Sequence, residues 1–207
     1  MPAGSILPVT IHNGKLYFLF GKENPMEDSS HGFSDFGGGK EKGESFYSAA
    51  LREGSEELTG FFGSKTQLKS RIRKTGGTLP MPYFFDNGHE YRVHVIYTEY
   101  NEELVKHFND NHRFLWNHMD KHTLNRSKLF EKIEIRWVCE TQLRAFLPQM
   151  RHFYRDIVLR ILLPNLENIR KFIAPKTRFD TRRCVETARK KTGKHRKNGK
   201  TRRIYGG

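Results

Sequence analysis

The order of apolar and polar positions along the chain predicts strands first. Ser5 to Ile11 and Lys15 to Lys22 are β-rich runs on either side of Asn13-Gly14, a dipeptide that supplies the positive φ angles of a two-residue hairpin turn. Glu23 to Gly32 is polar, contains Pro25, and predicts a loop leading into a short strand over Phe33 to Phe36. Thr78 to Asp86 and His89 to Tyr100 flank Asn87-Gly88 and predict a second hairpin, in which Val93, Val95 and Tyr97 alternate with Arg92, His94 and Ile96. Glu131 to Val138 is a late strand. Between the strands, helical spacing predicts a Glu-rich helix before Phe61 and a short basic helix over Ser64 to Lys74. A longer helix over Asn101 to Met119 has Leu104, Phe108 and Leu115 inward, and Lys121 to Lys128 is a polar link. A helical C-terminal part is punctuated by Pro148 and Pro164. Strands interleaved with helices in this order indicate an α+β or α/β sandwich.

The chemistry concentrates in Gly37 to Phe61, GGGKEKGESFYSAALREGSEELTGF. Glu53, Glu56 and Glu57 fall at i, i+3 and i+4, so on a helix their carboxylates share an arc of roughly 100°. Like charges so placed destabilise a bare helix, whereas a hard divalent cation turns the repulsion into coordination. Ala49 and Ala50, one turn earlier, let the helix approach its neighbours closely. Gly37, Gly38 and Gly39 predict a flexible turn whose carbonyls and amides can come near a metal or a phosphate. An ordinary solvated Glu-rich helix is the alternative.

Gly38, Glu44, Arg52, Glu53, Glu56 and Glu57 stand at the spacings of the Nudix box, G-x5-E-x7-R-E-U-x-E-E-x-G-U with U a bulky apolar residue, and the chain resembles Nudix hydrolases there. It departs twice. Gly54 takes the first U position, and Thr59 stands where the closing glycine belongs, with Gly60 one residue late. The resemblance implies an α+β fold of the α/β/α sandwich type, a mixed sheet between helices, over residues 1–172. It implies a hydrolase that cleaves a diphosphate linkage with Mg²⁺ or Mn²⁺. The metal set would be Gly38, through its carbonyl, with Glu53, Glu56 and Glu57. A further glutamate from outside the box would join it, Glu131 by first choice and Glu134 by second; a strand-edge glutamate paired with a surface lysine such as Lys132 is the alternative. The catalytic set would be Glu53, which helps deprotonate the attacking water, with Glu57, Arg52 and Glu44; Arg52 would hold Glu44 in position rather than touch substrate.

Charge adds a second feature. The 207 residues carry 37 Lys and Arg against 23 Asp and Glu, a net +14. From Arg170 onward 15 of those cations face only Asp180 and Glu186, so the body is nearly neutral. Arg189 to Arg203, RKKTGKHRKNGKTRR, lacks apolar residues and cannot bury enough surface to offset its ordering entropy. We therefore expect residues 173–207 to be a disordered basic tail. Arg189, Lys190, Lys191, Lys194, Arg196, Lys197, Arg202 and Arg203 are its candidate nucleic-acid contacts, by counterion release, unless the tail serves as a targeting signal.

Nudix substrates are generally a nucleoside diphosphate linked to another moiety. The leading expectation is the cap of capped mRNA, released as m7GDP, supported by the tail, by Arg151, Arg155, Arg160, Arg170 and Lys171, and by a general likeness to mRNA-decapping Nudix enzymes of large DNA viruses. One alternative is a pyrophosphohydrolase of nucleotides, dinucleoside polyphosphates or inositol pyrophosphates; the other is a non-catalytic nucleic-acid-binding protein of the same fold. Phe18, Phe20, Tyr83, Phe84 and Phe85 could stack on a base but are the usual furniture of a β-rich core, so the substrate-binding residues and the oligomeric state stay open. Two distant cysteines, Cys139 and Cys184, indicate neither a disulfide framework nor a zinc site. The absence of a long apolar run or a signal-peptide layout leads to an expectation of an intracellular protein, cytoplasmic or nuclear, that engages no membrane.

Overall fold

A computed structural model describes residues 1–25, 31–126 and 131–177. The first hairpin forms as its turn chemistry requires: Asn13 (φ 48°) and Gly14 (φ 75°) join β1 (Ala3–His12) to β2 (Lys15–Glu23), with Val9 opposite Phe18 and His12 opposite Lys15. On its other side β1 runs parallel to β6 (Glu90–Tyr97), which pairs antiparallel with β5 (Thr78–Phe84) across the Asn87-Gly88 turn. The described strands form one mixed sheet in the order β3-β2-β1-β6-β5, where β3 is Phe33–Ser34. Two further strands sit off this path, β4 (Phe36–Gly39) on β1 and β7 (Lys132–Cys139) on β2. The fold is α+β, a mixed sheet with helices on both sides.

Period-two alternation sends neighbouring side chains to opposite faces. Ile6, Leu19, Phe36, Ile96 and Ile135 meet Ala50, Leu51 and Leu58 of α1 (Phe46–Glu57) and its C-cap, Leu68 and Ile72 of α2 (Lys65–Lys74), and Phe108 of α3 (Glu102–His118). Leu7, Phe18, Phe20, Val93 and Val95 face the other way, onto Leu143 and Phe146 of α5 (Leu143–Phe146), Tyr154 and Ile157 of α6 (His152–Ile157), and Leu162, Ile169 and Ile173 beyond it. Phe18 and Phe20 are therefore core, and Tyr83 is buried with them; Phe84 is exposed.

Three expectations are revised. The glycine run is not a turn: Gly37, Gly38 and Gly39 lie in β4, paired with Ser5, Gly4 and Ala3. Residues 121–128 are not merely a polar link, because Lys121–Arg126 form a short helix, α4, that Asp120 caps at the Thr123 amide and that buries Leu124. The boundary placed at 172/173 falls inside a helix. After α6 the chain stays helical through a π turn (Val158–Leu162) and a tight turn (Leu163–Asn165) into 166–177, where Ile173 packs in the core. The wide turn precedes Pro164, which has no N–H to donate back to the helix. The tail residues from Arg189 to Arg203, and Cys184, lie outside the described residues. Among those described, Cys139 is a buried free thiol, and no helix is long and apolar enough to cross a membrane.

Candidate functional site

The box becomes one strand–loop–helix unit. β4 carries Gly38, the loop carries Glu44, and Ser45 caps α1 by accepting from the Ser48 amide at 3.0 Å. Both close approaches in this unit depend on missing side chains. A Cβ on Gly38 would lie 2.6 Å from the Cδ and Oε1 of Glu53, and one on Gly54 would lie 2.5 Å from the Cδ1 of Ile6. The second contact explains the departure at Gly54, because α1 packs so tightly on β1 that a bulky residue has no room. The displaced closing glycine has a backbone counterpart: Thr59 (φ 46°) and Gly60 (φ 76°) are both left-handed past the end of α1.

Arg52 ties the unit together. Its Nη2 donates to Glu44 at 3.0 Å and to the Gly39 carbonyl at 2.9 Å, and its Nη1 donates to Glu53 Oε1 at 2.7 Å. Glu44 and then Glu53 hold the guanidinium above its ordinary pKa despite partial burial, and Arg52 in turn lowers that of Glu44. These bonds fix Glu44 and the Glu53 carboxylate against β4.

The three helix acids diverge. Glu53 lies against Gly38 and Arg52. Glu56, whose side chain is 55% exposed, has Oε2 3.7 Å from Arg52. Glu57 turns inward and is 4% exposed, its Oε1 3.2 Å from the ammonium of Lys132. Lys132 is not a surface residue. It is fully buried on β7, 2.8 Å from Glu23 Oε2 and 3.1 Å from the Ser34 hydroxyl, in space left by Gly21, whose Cβ would come within 3.0 Å of it. Burial alone would lower the Lys132 pKa, but Glu57 and Glu23 hold it above its ordinary value. For Glu57, burial outweighs the attraction of Lys132 and pushes the carboxyl well up, with Glu23 and Glu131 adding to the rise. Arg151 donates to the other oxygen of Glu23 at 2.5 Å, so this candidate RNA contact is engaged inside the protein.

Glu131 precedes β7, its carbonyl accepting from the Asn24 amide at 2.9 Å, and its charge is felt at Glu57. Glu134 points elsewhere, onto Arg136 and Lys22. Arg170 bonds Glu140 and the Gly14 carbonyl, and Arg155 bonds the Met150 and Pro148 carbonyls, so these two also brace the fold. Sequence reasoning missed Glu23 and Ser34 and took Lys132 for a surface lysine, since no local pattern announces a buried cation inside EKIEI.

A divalent ion can be tested against this geometry. Among the described residues no group of three or more His, Cys, Asp or Glu is gathered closely enough to hold one. Two features do fit: Oε2 of Glu57 is buried without a hydrogen-bond partner, and Gly38 opens β4 directly beside the Glu53 carboxylate. An orphaned buried oxygen costs about 1–3 kcal/mol, which a ligand can recover.

No protein-family model matches the chain, and no curated protein matches it significantly. Solved structures do. The chain is similar to the Nudix hydrolase RenU from M. smegmatis, at 12% identity over 80% of this chain and 86% of that one, with a TM-score of 0.47. It is similar to the NUDIX domain of Shewanella oneidensis NrtR, solved with ADP ribose, at 10% identity over 81% and 86% (TM-score 0.41). A NUDIX protein from Listeria monocytogenes matches at 12% identity over 81% and 95% (TM-score 0.41). All three are Nudix proteins by description, the family that the box resembles.

Proposed function

We propose that the chain is a Nudix-type hydrolase that cleaves a diphosphate linkage in a nucleoside diphosphate joined to another moiety. The observation that carries the reading is the clamp of Arg52 on Glu44, Glu53 and the Gly39 carbonyl, which ties the box residues of the loop and the helix to the strand that carries Gly38. Glu53, Glu57 and the Gly38 carbonyl would hold Mg²⁺ or Mn²⁺, with Glu56 and Glu131 as the remaining candidate ligands. A bound ion of this kind neutralises phosphate oxygens and lowers the pKa of a water. Glu53, held by Arg52, accepts the proton of the attacking water. Glu57, 3.2 Å from the Lys132 ammonium through one oxygen, keeps the other free for a ligand.

Glu53→Gln and Glu57→Gln are the test. Each should lower turnover of a diphosphate substrate in Mg²⁺ by about 10²–10⁴-fold while the fold persists. Unchanged turnover in both would remove the site. Capped RNA is the substrate we favour, with release of m7GDP, on the strength of the basic residues 189–203. Comparing capped RNA with free cap dinucleotide, dinucleoside polyphosphates and inositol pyrophosphates resolves it: equal turnover of short compounds defeats decapping and favours the small-molecule reading. A non-catalytic nucleic-acid-binding protein is the second reading, favoured by the divergence of the three acids; it predicts no turnover of any of these substrates.

A further inference from the structure

α2 carries charge of one sign only. Of its ten residues, Lys65, Lys69, Arg71, Arg73 and Lys74 are basic and none is acidic; only Leu68 and Ile72 are buried, and all five cations are exposed. Lys65, Lys69 and Arg73 succeed one another at i,i+4, where like charges repel by several tenths of a kcal/mol per pair. Lys65 lies 3.9 Å from Glu44 and Arg71 lies over the Phe62 ring. Among the described residues, Lys69, Arg73 and Lys74 form no ion pair.

Alone, such a helix is a solvated face. A second observation changes the reading, because an open cleft of about 860 Å³ runs along it, closed on the far side by the end of β6 and the start of α3. Arg71 and Lys74 supply cations to its wall, Gln67, Ser70 and Asn101 supply uncharged hydrogen-bonding groups, and half-buried Phe61 supplies a ring; among the described residues Glu99 is the single acid that lines it. A charged rim beside polar groups and an aromatic ring is the arrangement that takes phosphates, base edges and a stacked base together. A duplex keeps its base faces stacked inside, whereas a single strand can turn a base face onto the ring of such a cleft.

We propose that the cleft between α2 and the start of α3 binds single-stranded nucleic acid. The proposal depends neither on the hydrolase reading nor on residues 189–203.

The experiment uses the full chain and an unstructured, fluorescein-labelled oligonucleotide of about 20 nucleotides, with affinity read by anisotropy across a salt series. Lys69→Glu, Arg71→Glu and Lys74→Glu are introduced together. We expect affinity to fall at least about tenfold and the salt slope to fall by about 2, since each phosphate contact on a single strand contributes about 0.7. The basic residues after 178 are common to both proteins, so the difference reads the helix. Unchanged affinity and slope overturn the proposal. So does inorganic polyphosphate competing as well, charge for charge, as the oligonucleotide, because the uncharged wall then contributes nothing. If the triple variant does not fold, Arg71→Gln with Lys74→Gln, at the two exposed cations of the cleft wall, should still cost several-fold, and no change there overturns the proposal equally. A wild-type chain that binds the strand but hydrolyses no diphosphate defeats the proposed function and leaves this site standing.

Discussion

The two faces of the sheet are built from the same strands and spend burial differently. Toward α5, α6 and 166–177 the strands present Phe18, Phe20, Val93 and Val95, and rings meet rings, Phe20 against Phe146 and Tyr154. The main charge buried among them is Asp35, which accepts from Ser5 at 2.5 Å and Tyr91 at 2.6 Å. Toward α1 the apolar cluster is smaller, and Lys132, Glu57 and Glu23 are buried beside it. Stability can come from the first face at low risk. The second keeps charges out of water only because each answers another, which suits a site that must meet an anionic ligand without rearranging.

The sharpest way to break this contrast is Lys132→Ala. Removing one member of a buried charge network leaves its partner uncompensated, so we expect a loss of about 3–5 kcal/mol in urea unfolding, chiefly from Glu57 left without its cation, since Arg151 still pairs with Glu23. A loss below about 1 kcal/mol would mean that Glu57 is held neutral by its burial or reaches water, and that no charge pair with Lys132 holds this face. On the opposite face Leu162→Ala, at a fully buried side chain, should cost about 2–5 kcal/mol by transfer and cavity terms. The specific activity of the molecules still folded should not change. If Leu162→Ala lowers that activity as steeply as Glu53→Gln does, the two faces are coupled and the division fails.

Acid separates them next. His94 faces α1, its ring edge-on to Tyr47 and both nitrogens unpartnered, and burial lowers its pKa from 6.5 to about 4. Between those values the unfolded chain holds the extra proton, so this face loses stability as pH falls from 6.5 toward 4. Asp35 on the other face behaves oppositely. Burial raises its pKa from 3.8 to about 6, against the Ser5 and Tyr91 bonds, so the folded chain holds the extra proton and stability is lost as pH rises from 3.8 through 6. Each contributes on the order of 2–3 kcal/mol over its window, and in the wild-type protein they largely offset. Relative to the wild type, His94→Phe should gain stability as pH falls from 6.5 toward 4, and Asp35→Asn should lose it over the same range. Identical profiles for both variants would show that neither group is desolvated.

What the sequence disclosed was local. Asn13-Gly14 and Asn87-Gly88 mark hairpins because the dihedral preference sits in the dipeptide itself, and the box acids mark a helix because their spacing is helical. What it hid was tertiary. Gly37 to Gly39 invite a turn, yet they form a strand, since the reason for glycine is Ser5 and Glu53 standing where side chains would go. Lys132 reads as a surface cation because its partner Glu23 lies 109 residues away. The acids share one helical arc, but Lys132 draws Glu57 inward and Arg52 draws Glu53 toward β4, and neither pull is written in the helix.

The smallest effect tests how α1 ends. Thr59 holds φ 46°, a conformation uncommon for a β-branched residue, and its hydroxyl is buried without a partner. Left-handed backbone costs about 1–2 kcal/mol for an L-residue with a Cβ, while glycine adds about 1 kcal/mol of unfolded-state entropy. The orphaned hydroxyl tips the balance, because removing it relieves a desolvation cost of about 1–3 kcal/mol. Thr59→Gly should therefore stabilise the protein by about 1 kcal/mol, seen as a rise of about 2–4 °C in melting temperature. Turnover should not change, since Thr59 follows the acids and touches none of the groups that Arg52 clamps. A lower melting temperature would mean that the Thr59 side chain makes a compensating interaction worth more than its strain. In that case the late glycine at position 60 would be a cap in its own right, not the displaced end of the box.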